Sequence, residues 1–232
     1  MDALIDNGEI KQIIVVTDAG HGLETGAIEA AKKAYDAGIT VSAIGINNPQ
    51  SNSEKGVQVV KGIAESGGGL WEYSFIEDLS KTMQDLTLKT AGRTIKQAVG
   101  RQLKAVIGDE IEDLEPKSKT KITDFINNYG ENINLRCIVV FDVGESMGDN
   151  PVIMKKSVIE MFEGLRRRKG KSSIAVIFCT AENSGTYSTA CDFTSEVYTL
   201  GQELEMIYPD GDISSGSPIL KACELMHRYY EV

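Results

Sequence analysis

Histidine is nearly absent from this chain: His21 and His227 are the two in 232 residues. A serine hydrolase needs a histidine base, and only these positions can supply one. Cysteine is scarce and scattered. Cys137, Cys179, Cys191 and Cys223 form no C-x-x-C pair, which removes the spacing of a zinc site. Cys137, Cys179 and Cys223 lie in apolar runs, Cys191 lies among polar residues, and all four read as reduced thiols of a cytoplasmic protein. No apolar run reaches the roughly 18 residues of a transmembrane helix. There is no basic excess either. A net charge of −10 and a pI near 4.8 argue against nucleic-acid binding. The opening MDALIDNGEI lacks the basic and apolar regions of a secretory signal.

What is present suits a folded core. Hydrophobic residues make up 41% of the chain, whose length corresponds to one large or two small domains. KQIIVVTD (11–18) reads as a fully buried strand. A helix follows in which Ala27, Ala30, Ala31 and Ala34 share one face and Gly38 stops it. ITVSAIGI (39–46) is a second strand, VQVVKGIAES a helix, and LWEYSF (70–75) a third strand. Gly67–Gly69 separates the last two and lacks the Lys and Ser/Thr of a phosphate-binding P-loop. Such alternation predicts a parallel sheet in an α/β fold.

From about 89 to 131 the strand signal disappears. Helical spacing broken by glycines, then the polar LEPKSKTK, describes a mostly helical connector. Alternation then resumes with NLRCIVVFD (134–142), a helix with Pro151 near its start, SSIAVIFCT (172–180), an expected edge strand GTYSTACDF (185–193), and two further helices. The run Arg166–Lys169 reads as a solvated helix end, where cations suit the macrodipole. Trp71 and Tyr73 alternate on their strand and read as core or sheet surface.

One stretch carries chemistry. IVVFDVGESMGD (138–149) is an apolar strand ending on Asp142, followed by Gly144 and Ser146. Gly144 to Gly148 also satisfies G-x-S-x-G between a strand and a helix, where the nucleophile of a hydrolase belongs. That reading makes Ser146 a nucleophile but leaves it without a well-placed base: His227 falls inside a predicted helix and His21 precedes the serine. Asp142-x-Gly144 lacks the second aspartate of a D-x-D phosphatase.

IVVFDVGESMGD resembles the D-x-S-x-S loop of the von Willebrand factor A (VWA) family, with glycine at the first serine. IIVVTDAG resembles that family's fourth strand, AYDAGITVSAIGI and IAESGGGLWEYSFIEDLSKTMQDL resemble its late passages, and DGDISSGSPIL its second metal loop. The late passages come first here. The chain therefore resembles a circularly permuted VWA domain, of a pattern found in spore-forming Gram-positive bacteria. Residues 1–88 would be the C-terminal half, 89–131 the connector and 132–232 the N-terminal half. A cut across two tandem repeats would give the same order. Domain termini lie at surfaces and close together, which makes permutation physically reasonable.

The resemblance implies a Rossmann-like α/β fold with a mainly parallel six-stranded sheet and helices on both faces. It orders the strands as edge strand, 172–180, 134–142, 11–18, 39–46, 70–75. It implies a Mg²⁺ site of the metal-ion-dependent adhesion type (MIDAS), held by Asp142, Ser146, Ser214 and Asp18, with Ser215 as an alternative to Ser214. Gly144 deletes one hydroxyl ligand. Glu145, Met147 and His21 would shape the rim. The implied function is binding a protein partner that supplies a carboxylate, without catalysis. The halves would pair within one chain, as a monomer, or between chains, as a half-swapped dimer. The alternatives are a metal-independent scaffold using the connector helix, and the Ser146 hydrolase.

Overall fold

The computed structural model describes residues 5, 8–18, 26–47, 53–143, 151–180, 186–205, 214–215 and 217–228. At 142–143, 151, 180, 186–190 and 214–215 the description is of the backbone alone.

The strands are β1 (Glu9–Thr17), β2 (Thr40–Ile46), β3 (Gly68–Ser74), β4 (Asn134–Val143), β5 (Ser172–Thr180), β6 (Thr186–Thr194) and β7 (Ser214–Ser215). The helices are α1 (Gly26–Asp36), α2 (Glu54–Ser66), α3 (Leu79–Ile107), α4 (Pro116–Asn132), α5 (Pro151–Leu165), α6 (Val197–Glu205) and α7 (Pro218–Arg228). They build one sheet in the order β3-β2-β1-β4-β5-β6-β7. The strands from β3 through β5 run parallel; β6 and β7 are antiparallel to their neighbours. This is a Rossmann-like α/β fold. Its first six strands stand in the order the resemblance implies. The two-residue β7 adds a seventh, too short to show a period in sequence.

The central strands read as continuous apolar runs because both sheet faces are covered. One face packs Ile10, Ile14, Val139 and Phe141 against α3, α5 and α6. The other packs Ile13, Val15, Ile138 and Val140 against α1, α2 and α7, with Ala27, Ala30, Ala31 and Ala34 as the α1 face. Small alanines let α1 approach the sheet closely.

The α2–β3 joint explains the triple glycine. Gly68 takes φ +66°, a left-handed backbone that glycine adopts without strain. A Cβ on Gly69 would collide with the Val41 carbonyl of β2.

Two sequence expectations change. Gly92 and Gly100 do not interrupt a helix; α3 runs unbroken for 29 residues, so position 88 lies inside it. Each glycine costs only about 1 kcal/mol relative to alanine. Packing overrides that: Leu86, Ala91 and Ile95 are buried, and Ser42 Oγ hydrogen-bonds Thr90 Oγ1 at 3.0 Å. Second, Arg166–Lys169 is not simply a solvated end. Arg166 is exposed and pairs with Glu196 at 3.7 Å. Arg168 is 9% exposed and donates to the carbonyls of Gly130 and Ile133, at the end of α4. Among the described residues no helix is long and apolar enough to cross a membrane.

Candidate metal centre at the β1–β4 junction

Strand order reverses between β1 and β4, with β2 and β3 on one side and β5 and β6 on the other. Open α/β sheets bind ligands beyond the C-terminal strand ends at such a reversal. The register fixes which residues meet there. Thr17 pairs with Asp142 and with Gly45, and Asp142 pairs with Cys179. Neighbouring strands lie about 4.8 Å apart. Asp18 follows Thr17 directly and is 2% exposed. Two aspartate positions therefore share one rim, on adjacent strands. A cation held between two carboxylates relieves the repulsion they would otherwise feel.

The layer beneath is rigid. Phe141 and Phe178 precede the rim residues of β4 and β5, and their rings stack at 5.1 Å, an arrangement worth about 1 kcal/mol beyond burial. On β3, Tyr73 lays its ring over Gly45. Burial pushes its phenol pKa up, and its hydroxyl has no hydrogen-bond partner among the described residues.

The remaining expected ligands divide. Ser146, with Gly144, Glu145 and Met147, lies outside the described residues, as does His21. The Ser214 backbone pairs with Tyr187, and Tyr187 pairs with Cys179. Ser214 thus belongs to the same rim row, but three strands out from β4, about 14 Å by sheet spacing. Ser215 pairs with Thr186 beside it.

The chain then turns back toward the centre. α7 starts three residues after β7 and packs on β1, β4, β5 and α1. Its Ile219, Ala222, Leu225 and Met226 join the core around Ile13 and Val140. Because β7 is level with the rim, α7 begins there and descends along the sheet. Ser217 opens it: the Ser217 Oγ accepts from the Leu220 N–H at 3.5 Å. The reading from sequence passed over Ser217. Its signal was a Ser-Pro pair at a helix start, cap followed by first-turn proline.

The residue types expected at this rim would suit Mg²⁺. Two carboxylates and hydroxyl oxygens are hard ligands, and Mg²⁺ takes one or two carboxylates and keeps several waters. Among the described residues no group of three or more His, Cys, Asp or Glu stands together as a metal site.

No family model matches the chain. It is 30% identical over 176 residues to the uncharacterized protein YabS of Bacillus subtilis strain 168, covering 74% of this chain and 71% of YabS. The chain belongs to the YabS family. A crystal structure of an uncharacterized protein from Alicyclobacillus acidocaldarius superimposes with a TM-score of 0.82 at 28% identity, over 99% of each chain.

In this YabS-family chain the cysteines are free thiols. Burial pushes Cys137 up to about 12 and Cys223 up to about 11, and also raises Cys191, so these three lack thiolate character near neutrality. His227 is exposed, nine residues into α7, with Nδ1 2.7 Å from the Cys223 carbonyl oxygen. A helix rises 1.5 Å per residue, so His227 stands about 14 Å along α7 from its first residue.

Proposed function

We propose that the chain is a circularly permuted VWA module that binds a protein partner through a divalent cation at the β1–β4 rim. The observation that carries this reading is the pairing of Thr17 with Asp142, which puts Asp18 and Asp142 at adjacent strand ends. Asp18 and Asp142 would hold Mg²⁺ with Ser146 and a hydroxyl from the 214–217 segment. Ser214 is the position the family resemblance implies; Ser217 is the one that opens α7, the helix packed on β4 and β1. The bound ion would neutralise the carboxylates and leave a coordination position for a carboxylate of the partner. No step of bond making or breaking is required of the protein.

The permutation rests on element order. β1 to β3 fill one half of the sheet and β4 to β6 the other, and α7, last in the chain, packs on β1, the first strand. Joining α7 to β1 would restore a helix followed by its next parallel strand. Residues 1–88 and 132–232 are the two halves on this reading, with 89–131 as connector; the halves pair within one chain, as a monomer. The compartment is the cytoplasm, where four free thiols stay reduced.

Mg²⁺ titration followed by thermal unfolding tests the reading. Wild-type protein should gain stability with Mg²⁺, and Asp142→Ala should not. Equal shifts in both would dismiss the site.

One observation favours a second reading, a metal-independent scaffold. Val106, Ile107 and Phe125 are exposed along an apolar groove between α3 and α4. A partner bound through this face would be indifferent to Mg²⁺. The Ser146 hydrolase fares worse, since His227 sits at the far end of α7.

A further inference from the structure

Residues 89–108, the first part of the connector, reverse the charge character of an acidic chain. Lys89, Arg93, Lys96, Arg101 and Lys104 follow one another with no acidic residue from 89 to 108. Three cations, Arg93 and Lys96 of α3 and Lys119 of α4, line one cavity of about 710 Å³ between the two helices. The short 3₁₀ turn Ile111–Asp113 adds Ile111 and Glu112 to the lining.

The cations are held in different ways. Arg93 Nη1 donates to the Gly69 carbonyl at 3.1 Å, which fixes the guanidinium while leaving other N–H groups. Lys96 Nζ pairs with Glu112 Oε1 at 3.0 Å. Lys119 makes no ion pair among the described residues. Among the described residues Glu112 is the only acidic one in the lining. The hydrogen bond from Lys96, its own backbone hydrogen bond, and the fields of Lys96 and Lys119 hold its carboxyl below the usual range. A carboxylate is already stabilised here, and about two positive charges remain unbalanced.

The rest of the lining is apolar or neutral. Ile111, Ile122 and Ile126 form the floor, and Thr123 and Asn127 offer neutral hydrogen-bonding groups. The volume falls in the roughly 300–1,000 Å³ range of small-molecule sites and far exceeds what a lone inorganic anion fills.

We propose that this cavity binds a phosphate-bearing organic molecule, its phosphate among Arg93, Lys96 and Lys119 and its apolar or planar body on the isoleucine floor. A phosphate carries about two negative charges near neutrality, matching the residual charge. Arginine's planar fork suits it better than a second carboxylate would. The site is independent of the β1–β4 rim.

Calorimetric titration of the full chain in Mg²⁺-free buffer tests this, with adenosine diphosphate, pyrophosphate and inorganic phosphate as probes. Adenosine diphosphate should bind saturably and more tightly than inorganic phosphate. Arg93→Gln and Lys119→Gln should each weaken it about tenfold, the loss of one charge-assisted hydrogen bond. Glu112→Gln should tighten it. Gly92→Leu is the steric test: a Cβ at Gly92 meets no atom within 4 Å, so a leucine there can project into the cavity while favouring the helix. It should abolish binding without lowering the melting temperature. If Arg93→Gln unfolds, Lys119→Gln and Gly92→Leu carry the test. A parallel sedimentation with phosphatidylcholine vesicles, with and without phosphatidic acid, identifies the source: capture that needs phosphatidic acid and is lost in the same variants assigns the phosphate to a lipid head group. The proposal is overturned if neither adenosine diphosphate nor phosphatidic acid binds. It is also overturned if binding survives these substitutions, or if inorganic phosphate binds as tightly as adenosine diphosphate.

Discussion

Thr17 and Asp142 are register partners across the parallel β1–β4 pair, so the rim aspartates come from strands 125 positions apart in sequence but adjacent in the sheet. Asp18 needs no loop excursion to reach the junction; it is the residue after the pair and is already buried. The third ligand loop is then decided by which serine returns to that junction. Ser217 opens α7, which packs on β1, β4 and β5, while the Ser214 backbone stays at the sheet edge. Ser217→Ala should therefore weaken Mg²⁺ binding more than Ser214→Ala, by about tenfold against little change. Calorimetry on the two variants checks this. A larger loss from Ser214→Ala would restore Ser214 as the ligand.

Gly144 stands where the resembled loop has a hydroxyl ligand. Supplying it should strengthen the site, because water then needs to fill one fewer position. Gly144→Ser is expected to raise Mg²⁺ affinity several-fold without changing the far-ultraviolet circular dichroism spectrum. An unchanged or lower affinity would show that the loop does not approach the ion.

Arg168 ties the end of α4 to the start of β5. Its guanidinium donates to two carbonyls and lies 3.5 Å from Ser172 Oγ. Burial lowers its pKa, opposed by the field of Glu131, and the carbonyl bonds offset that cost. Arg168→Met would keep much of the volume and strand both acceptors. A loss of about 3 kcal/mol is expected in urea unfolding, whereas Lys169→Met at the neighbouring exposed position should change stability by less than about 0.5 kcal/mol.

Alkaline pH should expose the buried thiols. Cys137 is pushed from 9.0 to about 12 by burial. Below pH 9 the thiol is protonated in folded and unfolded chains alike, and its contribution is fully present. Between 9 and 12 the unfolded chain releases the proton and the folded one keeps it. Stability therefore falls with rising pH, by about 1.4 kcal/mol per unit for one such group. Cys137→Ala should flatten the slope of unfolding free energy between pH 9 and 11 by roughly that amount. An unchanged slope would contradict the burial of this thiol.

The parts of the fold legible in sequence are those where local pattern and burial agree. The runs ending at Asp18 and Asp142 are apolar throughout because helices cover both sheet faces, and the alanines of α1 sit at helical spacing because one face meets the sheet. Where tertiary contacts overrule local signals, the reading fails. Gly92 and Gly100 look like helix breakers until α3 is seen packed along the sheet. Arg168 looks like one more solvated cation because nothing nearby in sequence announces the carbonyls of Gly130 and Ile133. Ser217 was readable as a cap, but only the structure shows that the helix it opens packs on β1 and β4. The loop 144–150, with Ser146, is outside the described residues, so half of the expected first loop is known from sequence alone.

The most direct measurement is electron paramagnetic resonance titration of Mn²⁺, standing in for Mg²⁺, into the wild type, Asp18→Asn and Asp142→Ala. The account predicts a single saturable ion in the wild type, displaced by excess Mg²⁺, with affinity at least about tenfold lower in each variant. Mn²⁺ that remains free with the wild-type protein, or that binds equally well to all three, would contradict a cation at the β1–β4 rim.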